Sequence, residues 1–173
     1  MPTGTSFLVT NTGASTHTGI ETYAELNIND LLFPDSHLGK ISMYNSFAYI
    51  NAVYTDGPYK GNQVEYAPHI IERTGINYWI KGFELNAQYS YESKSFGDAT
   101  NAISDPSAET GIMPAYWLMD ISASYKWLKY KASLGVNNVT DERYFTLRTS
   151  EYPGPGIIPA VGRMIYGGLS IAF

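Results

Sequence analysis

The sequence predicts an all-β protein, an antiparallel sheet of about eight strands on the plan of a transmembrane β-barrel. Three observations carry this. Extended segments alternate apolar and polar residues with a period of two. The connections between them alternate long and short. Fifteen Tyr, three Trp and seven Phe sit in a chain with sparse helix formers and abundant Ser, Asn, Thr and Gly. That mixture suits strands with one apolar and one polar face.

Taken in order, residues 5–10 form a short extended piece. Residues 16–29 set Ile20, Thr22, Ala24, Leu26 and Ile28 against Glu21, Tyr23, Glu25 and Asn27. Residues 31–39 contain Pro34 and read as a turn. Residues 40–54 are extended, but their two faces are not cleanly sorted. Residues 55–67 read as a loop, with Asp56-Gly-Pro-Tyr-Lys-Gly61 at its centre. Residues 69–80 return as a strand with Ile76, Tyr78 and Ile80 on one face. Lys81-Gly82 is a two-residue hairpin turn, where Gly supplies the positive φ such turns favour. Residues 83–94 are the clearest strand, with Phe83, Leu85, Ala87, Tyr89 and Tyr91 opposite Glu84, Asn86, Gln88, Ser90 and Glu92.

Residues 95–114 read as a long polar loop. Residues 115–127 alternate again, Trp117, Met119, Ile121 and Ala123 against Leu118, Asp120, Ser122 and Ser124. Leu128-Lys129 turns the chain into 130–139, where Tyr130, Ala132, Leu134 and Val136 share a face. Residues 140–162 form a second long loop with three prolines. Residues 163–173 are the last strand, with Ile165, Gly167, Leu169, Ile171 and Phe173 on one face and Met164, Tyr166, Gly168, Ser170 and Ala172 on the other.

The net charge of −5 argues against nucleic acid as a partner. The absence of cysteine excludes disulfides and thiolate metal sites. No apolar run approaches the length of a transmembrane helix. Met1-Pro-Thr-Gly-Thr has neither the basic start nor the apolar core of a signal peptide, so the chain reads as cytoplasmic or as a piece of something longer. His17, His37 and His69 are scattered without metal-ligand spacing, and no glycine-rich phosphate loop precedes a helix. Asp120 with Lys126, or Glu84 with Glu92, fit hydrogen-bond networks on a polar strand face better than catalytic pairs. The expectation is no enzyme, no metal and no cofactor.

The last eight residues resemble the closing strand of a bacterial outer-membrane β-barrel, in which Tyr166, Gly168, Ile171 and Phe173 match the signal read by the barrel-assembly machinery. Taken alone, the octamer fits the last strand of a soluble sheet equally well. The loop lengths add to it. Long connections follow Tyr54, Lys94 and Val139, and shorter ones follow Asn29, Ile80 and Trp127. Outer-membrane barrels have long outer loops and short periplasmic turns. Aromatic residues also end the apolar rows, as membrane-interface girdles do.

Asn137-Asn-Val-Thr-Asp-Glu-Arg-Tyr144 resembles the penultimate-strand motif of TonB-dependent outer-membrane receptors, with Val139 and Thr140 where that family usually has Leu-Phe. A Gly/Pro-rich loop, Gly162-Arg163 and the closing strand follow in the family's order. Pro114 to Tyr125, Thr18-Gly-Ile-Glu21 and Tyr66-Ala-Pro-His69 resemble its earlier strands. Tyr152-Pro-Gly-Pro-Gly, Lys60-Gly-Asn-Gln-Val and Ile112-Met-Pro-Ala-Tyr-Trp117 look most like the ferric-citrate and siderophore receptors.

The resemblance implies a bacterial outer-membrane location, contact with lipid and the assembly machinery, a ferric chelate as cargo and coupling to the TonB system through an N-terminal region absent here. It implies a barrel of about 22 strands around a plug. Residues 1–173 are then the C-terminal part of the barrel domain without the plug, a piece not competent for transport alone. An anionic chelate suits the forked donors of Arg143 and Arg148, with Tyr144 and Tyr152 as walls. Two other readings stay open: a small self-closed outer-membrane barrel with a structural or adhesive role, and a soluble β-sandwich binding module.

Overall fold

The computed structural model describes residues 13–32, 39–151 and 155–172. Its elements are β1 (Ser15–Asn27), α1 (Ile28–Leu32), β2 (Lys40–Tyr54), β3 (Ile70–Ile80), β4 (Phe83–Glu92), β5 (Ser95–Phe96), β6 (Ile112–Met113), β7 (Tyr116–Trp127), β8 (Tyr130–Asn137), β9 (Phe145–Thr149), β10 (Gly156–Pro159) and β11 (Met164–Ile171). Seven of the strands form one antiparallel sheet in the order β1-β2-β3-β4-β7-β8-β11. Each main strand pairs with the next one along the chain, so the sheet is a meander with no crossover. Among the described residues β1 and β11 are its two edges.

The cross-strand register sorts the side chains. Leu26, Met43, Ile76, Ala87, Ile121, Val136 and Ile165 stand in one continuous row across all seven strands. The next row over, on the opposite face, reads Asn27, Ser42, Asn77, Asn86, Ser122, Gly135 and Tyr166. A one-residue slip anywhere would exchange the two. The apolar face is not covered by a second layer. Leu169 is 88% exposed, Ile165 67% and Leu134 59%, and among the described residues the buried core is only Ala52, Tyr54 and Met113. A soluble sandwich buries this face. A barrel wall gives it to lipid, where the ladder satisfies the backbone and the apolar side chains meet acyl chains.

Aromatics gather at the two ends of the apolar face. Phe83, Tyr125, Trp127 and Tyr130 lie beside the short turns, with Trp127 stacked on Tyr130 at 6.1 Å. Tyr89 and Trp117, stacked at 6.0 Å, lie toward the long loops. At Lys81-Gly82 both residues take positive φ, +47° and +84°, as a tight hairpin turn requires. A Cβ on Gly82 would press on the Lys126 carbonyl, which is 2.6 Å from where it would sit.

Several expectations are refined. The first long strand ends at Asn27, and Ile28 and Asn29 fall in α1, where Asn29 bonds to the Gly39 carbonyl at 2.7 Å. Residues 5–10 and most of 31–39 lie outside the described residues. The two faces of β2, unsorted by pattern, are sorted by register. Ile41, Met43, Phe47 and Tyr49 share the apolar face, and Asn45 breaks it because its amide bonds to Glu72 at 3.2 Å and Thr74 at 2.8 Å on the neighbouring strand. The two long loops are not structureless. Residues 95–114 contain the β5–β6 pair, and residues 140–162 contain the β9–β10 hairpin. Strands of two to five residues are too short to show a period.

Candidate functional site at the rim of the polar face

The polar face is cross-linked along its length by side chains that the register brings opposite one another. Ser42 donates to Glu25 at 3.1 Å, Asn86 to Asn77 at 2.7 Å, and Tyr44 to Gln88 at 2.8 Å. Ser124 and Lys131 both donate to Glu84, at 2.9 and 3.0 Å. Asp120 accepts the Asn138 backbone N–H at 2.7 Å. The carboxylates Glu84, Glu92 and Asp120 are thus members of separate networks, as the sequence reading favours. Tyr44 and Tyr166 lie over Gly75 and Gly135 on the adjacent strand, each occupying the space a Cβ there would need. Glycine in these strands makes a seat for an aromatic ring.

Toward the long loops the polar face ends in a rim. Tyr116 donates to Glu92 Oε2 at 2.9 Å, and its ring stacks on Tyr144 at 4.5 Å. Burial, with Asp120 and Glu92 nearby, pushes the Tyr144 phenol above its ordinary range. Arg73 lies on the same face and is exposed, with no ion pair among the described residues. The sequence reading names only the apolar face of β3 and so misses Arg73; Tyr116, at the start of β7, it leaves without a role. Full alternation through β3 would have placed Arg73.

The motif Asn137 to Tyr144 folds into a latch. Asn138 is 3% exposed at φ +52°. Its side chain donates to the Glu142 carbonyl at 3.0 Å and accepts the Glu142 N–H at 2.8 Å. Asp141 accepts the Arg163 N–H at 3.0 Å, joining the motif to the start of β11. That bond, together with the Arg143 and Arg163 charges, holds the Asp141 carboxyl below its usual range.

The residues expected to meet a ligand are therefore unlike one another. Arg143 pairs with Asp141 at 3.2 Å and keeps an 83% exposed side chain. Tyr144 is half-buried against Tyr116. Arg148 donates to the Ala108 and Ile112 carbonyls at 2.7 and 2.9 Å and lies over the Phe145 ring at 5.1 Å. Both its terminal nitrogens are spent on holding β9 to the segment 108–112. Tyr152 lies outside the described residues, as does Phe173 of the terminal signal. Of that signal, Tyr166 sits over Gly135, the Gly168 carbonyl accepts from Ser133 at 3.3 Å, and Ile171 faces outward opposite Tyr130. No group of His, Asp and Glu with metal-ligand geometry occurs among the described residues.

Comparison with known proteins agrees with this architecture. Residues 1–139 match the family model described as TonB dependent receptor-like, beta-barrel. The ferric citrate transporter FecA in its unliganded form superposes with a TM-score of 0.82 at 26% identity, over 91% of this chain and 24% of that one. The ferric yersiniabactin uptake receptor FyuA from Yersinia pestis gives 0.75 at 20% identity, over 94% and 24%. The copper transporter OprC gives 0.68 at 14% identity, over 92% and 24%. The chain thus spans about a quarter of the length of the solved proteins it matches. The exposed apolar band, the polar opposite face and the long-loop rim are those of a barrel wall, and the chain belongs to the TonB-dependent receptor family, whose β-barrels stand in the outer membrane of Gram-negative bacteria.

Proposed function

We propose that the chain is part of the wall of a receptor that imports a ferric chelate, ferric citrate or a siderophore complex, with TonB as the energy-coupling partner. The observation that carries this is the likeness to the ferric citrate transporter over 91% of the chain. The polar face would line the lumen, and its rim would meet the cargo from outside. There Arg73 and Arg143 are exposed cations, and Tyr116 and Tyr144 form a stacked pair. Arg148 acts at one remove, by fixing the loops. The assembly machinery would read the β11 end, and lipid would contact the apolar face.

The wall alone does not make a channel in this reading, since the described sheet has two edges. The test is uptake of ⁵⁵Fe-citrate into iron-starved cells that lack their own ferric-citrate receptor. Cells given this chain behind a signal peptide are expected to show none. Cells given a TonB-dependent receptor whose last strands are replaced by this chain are expected to regain it. Uptake by the chain alone would overturn the proposal for the fragment. Failure of the chimera with any ferric chelate, while it still inserts, would overturn the cargo assignment.

A further inference from the structure

Where β4 and β7 reach the rim, the loops border a small, partly open cavity of about 100 Å³. Tyr66, Glu92, Ser95, Met113, Tyr116 and Phe145 line it. Three features give it a chemical character. Glu92 accepts from Tyr116 through Oε2, while Oε1 has no hydrogen-bond partner and the residue no ion pair among the described residues. Ser95 is 4% exposed, yet its hydroxyl bonds to nothing among the described residues. Its oxygen is not sealed in the protein but opens on the cavity, free to bond to what fills it. The remaining lining includes three aromatic rings and the Met113 side chain, itself 5% exposed.

A carboxylate oxygen, a hydroxyl acceptor and aromatic rings around a small space are the groups that recognise a cation bearing N–H donors. An anion would meet Glu92, and a neutral alkyl group would leave both oxygens unpaired. The volume is roughly that of three waters at ~30 Å³ each, well below the ~300 Å³ of a typical small-molecule site. It admits one substituent and not a whole chelate. We infer that the cavity between Glu92, Ser95 and Tyr116 is a binding site for a small primary alkylammonium group, carried by a solute that reaches the receptor from outside. The site is independent of which cargo the lumen passes.

Met113 offers a direct probe. The chain labelled with ¹³C at its methionine methyls, in detergent micelles, is titrated with methylammonium, methanol and acetate. The Met113 methyl is expected to shift with methylammonium at millimolar concentration and with neither of the others. Met119 and Met164, on the wall, report that the sheet is folded and are expected to stay in place. Glu92→Gln keeps an acceptor for the Tyr116 hydroxyl and removes the charge, so the Met113 response should weaken about tenfold, the loss of one charge-assisted hydrogen bond. Should that variant lose the Met119 and Met164 signals, Ser95→Ala takes its place, with a weakening of about threefold expected. A still Met113 methyl, an equal response to acetate or methanol, or an undiminished response in the folded variant would overturn the assignment.

Discussion

In the wall, each inner strand carries a backbone ladder on both sides, ten or more residue pairs long between β3 and β4 and between β4 and β7. The rim above it has two residue pairs between β5 and β6 and four between β9 and β10. Beside scattered backbone bonds, such as Tyr66 N–H to the Phe96 carbonyl at 2.8 Å and Gly97 N–H to the Gly111 carbonyl at 2.9 Å, much of its order comes from single side chains that bond to backbone groups of other segments. Asn62 donates to the Ala99 carbonyl at 2.9 Å, Asn101 to the Gln63 carbonyl at 2.8 Å, and Arg148 to two carbonyls forty and thirty-six residues away. The ladder spreads its stabilisation over many equivalent bonds, so no one side chain is indispensable inside the wall unless it offends the lipid. The rim concentrates its stabilisation in a few residues, so each of them is a point of failure.

The largest separation of the two regions is expected at Arg148. Arg148→Ala removes two hydrogen bonds from a charged donor, about 3 kcal/mol or more together, and the Phe145 contact. The Arg148 Nε is buried and has no hydrogen-bond partner among the described residues. Amide exchange in 97–112 and 145–149 is expected to quicken by about a hundredfold or more while wall amides keep their protection. Equal loss of protection in β3 and β4 would show that rim and wall open as one unit.

The wall responds to charge by face. Leu134→Arg places a guanidinium among lipid chains and is expected to lower stability by about 2–4 kcal/mol, less if the side chain reaches the interface. Ser133→Arg, one residue away, points to the polar face that already holds Lys131 and Glu84 and should change stability little. Urea unfolding in lipid vesicles, followed by tryptophan fluorescence, measures both. Equal effects would mean that the apolar face is not the lipid face.

At Asn138 two contributions can be told apart. Asn138→Ala loses both side-chain bonds to Glu142 and also strains a backbone at φ +52°, so a loss of about 2–3 kcal/mol is expected from the latch. Asn138→Gly loses the same bonds but accepts the positive φ, and should be milder by about 1 kcal/mol. Exchange at the Glu142 amide reads the difference. Identical losses would mean the φ carries no strain.

The same contrast explains what the sequence discloses. The wall was legible because each long strand repeats one rule, apolar out and polar in. All seven main strands begin and end within two residues of the pattern, β2 included. The faces of β2 resisted because Asn45 interrupts its outer row, and only its neighbours Glu72 and Thr74 make sense of that. The rim was not legible. Nothing local marks β5 or β9 as strands, and nothing in Arg148 itself says that its guanidinium will serve two distant carbonyls. Of the residues expected to face a ligand, Arg143 is exposed and Arg148 is committed elsewhere, a distinction made by folding of the loops and not by residue type. Arg73 needed only the alternation to be carried through both faces of β3.

The smallest expected effect lies at Asp141, where the rim is tied back to the wall. Its carboxylate accepts the Arg163 N–H at 3.0 Å and pairs with Arg143 at 3.2 Å. The Arg163 amide is the chief cause that holds its pKa below the usual range. A carboxyl whose folded pKa is depressed contributes stability that is present above the unfolded value of about 3.9 and is lost as pH falls through the folded value. Protection of the Arg163 amide should therefore be constant at neutral pH and fall below about pH 4. Asp141→Asn keeps an oxygen acceptor and loses the titration, so its protection should be lower at neutral pH and flat on acidification. The ladder between β8 and β11 uses only backbone groups, and its amides from Tyr166 to Leu169 should show no such step. A step of the same size in those amides would mean that the Asp141 latch governs the closing strand itself, and that rim and wall are joined more tightly at this edge than their separate bonds imply.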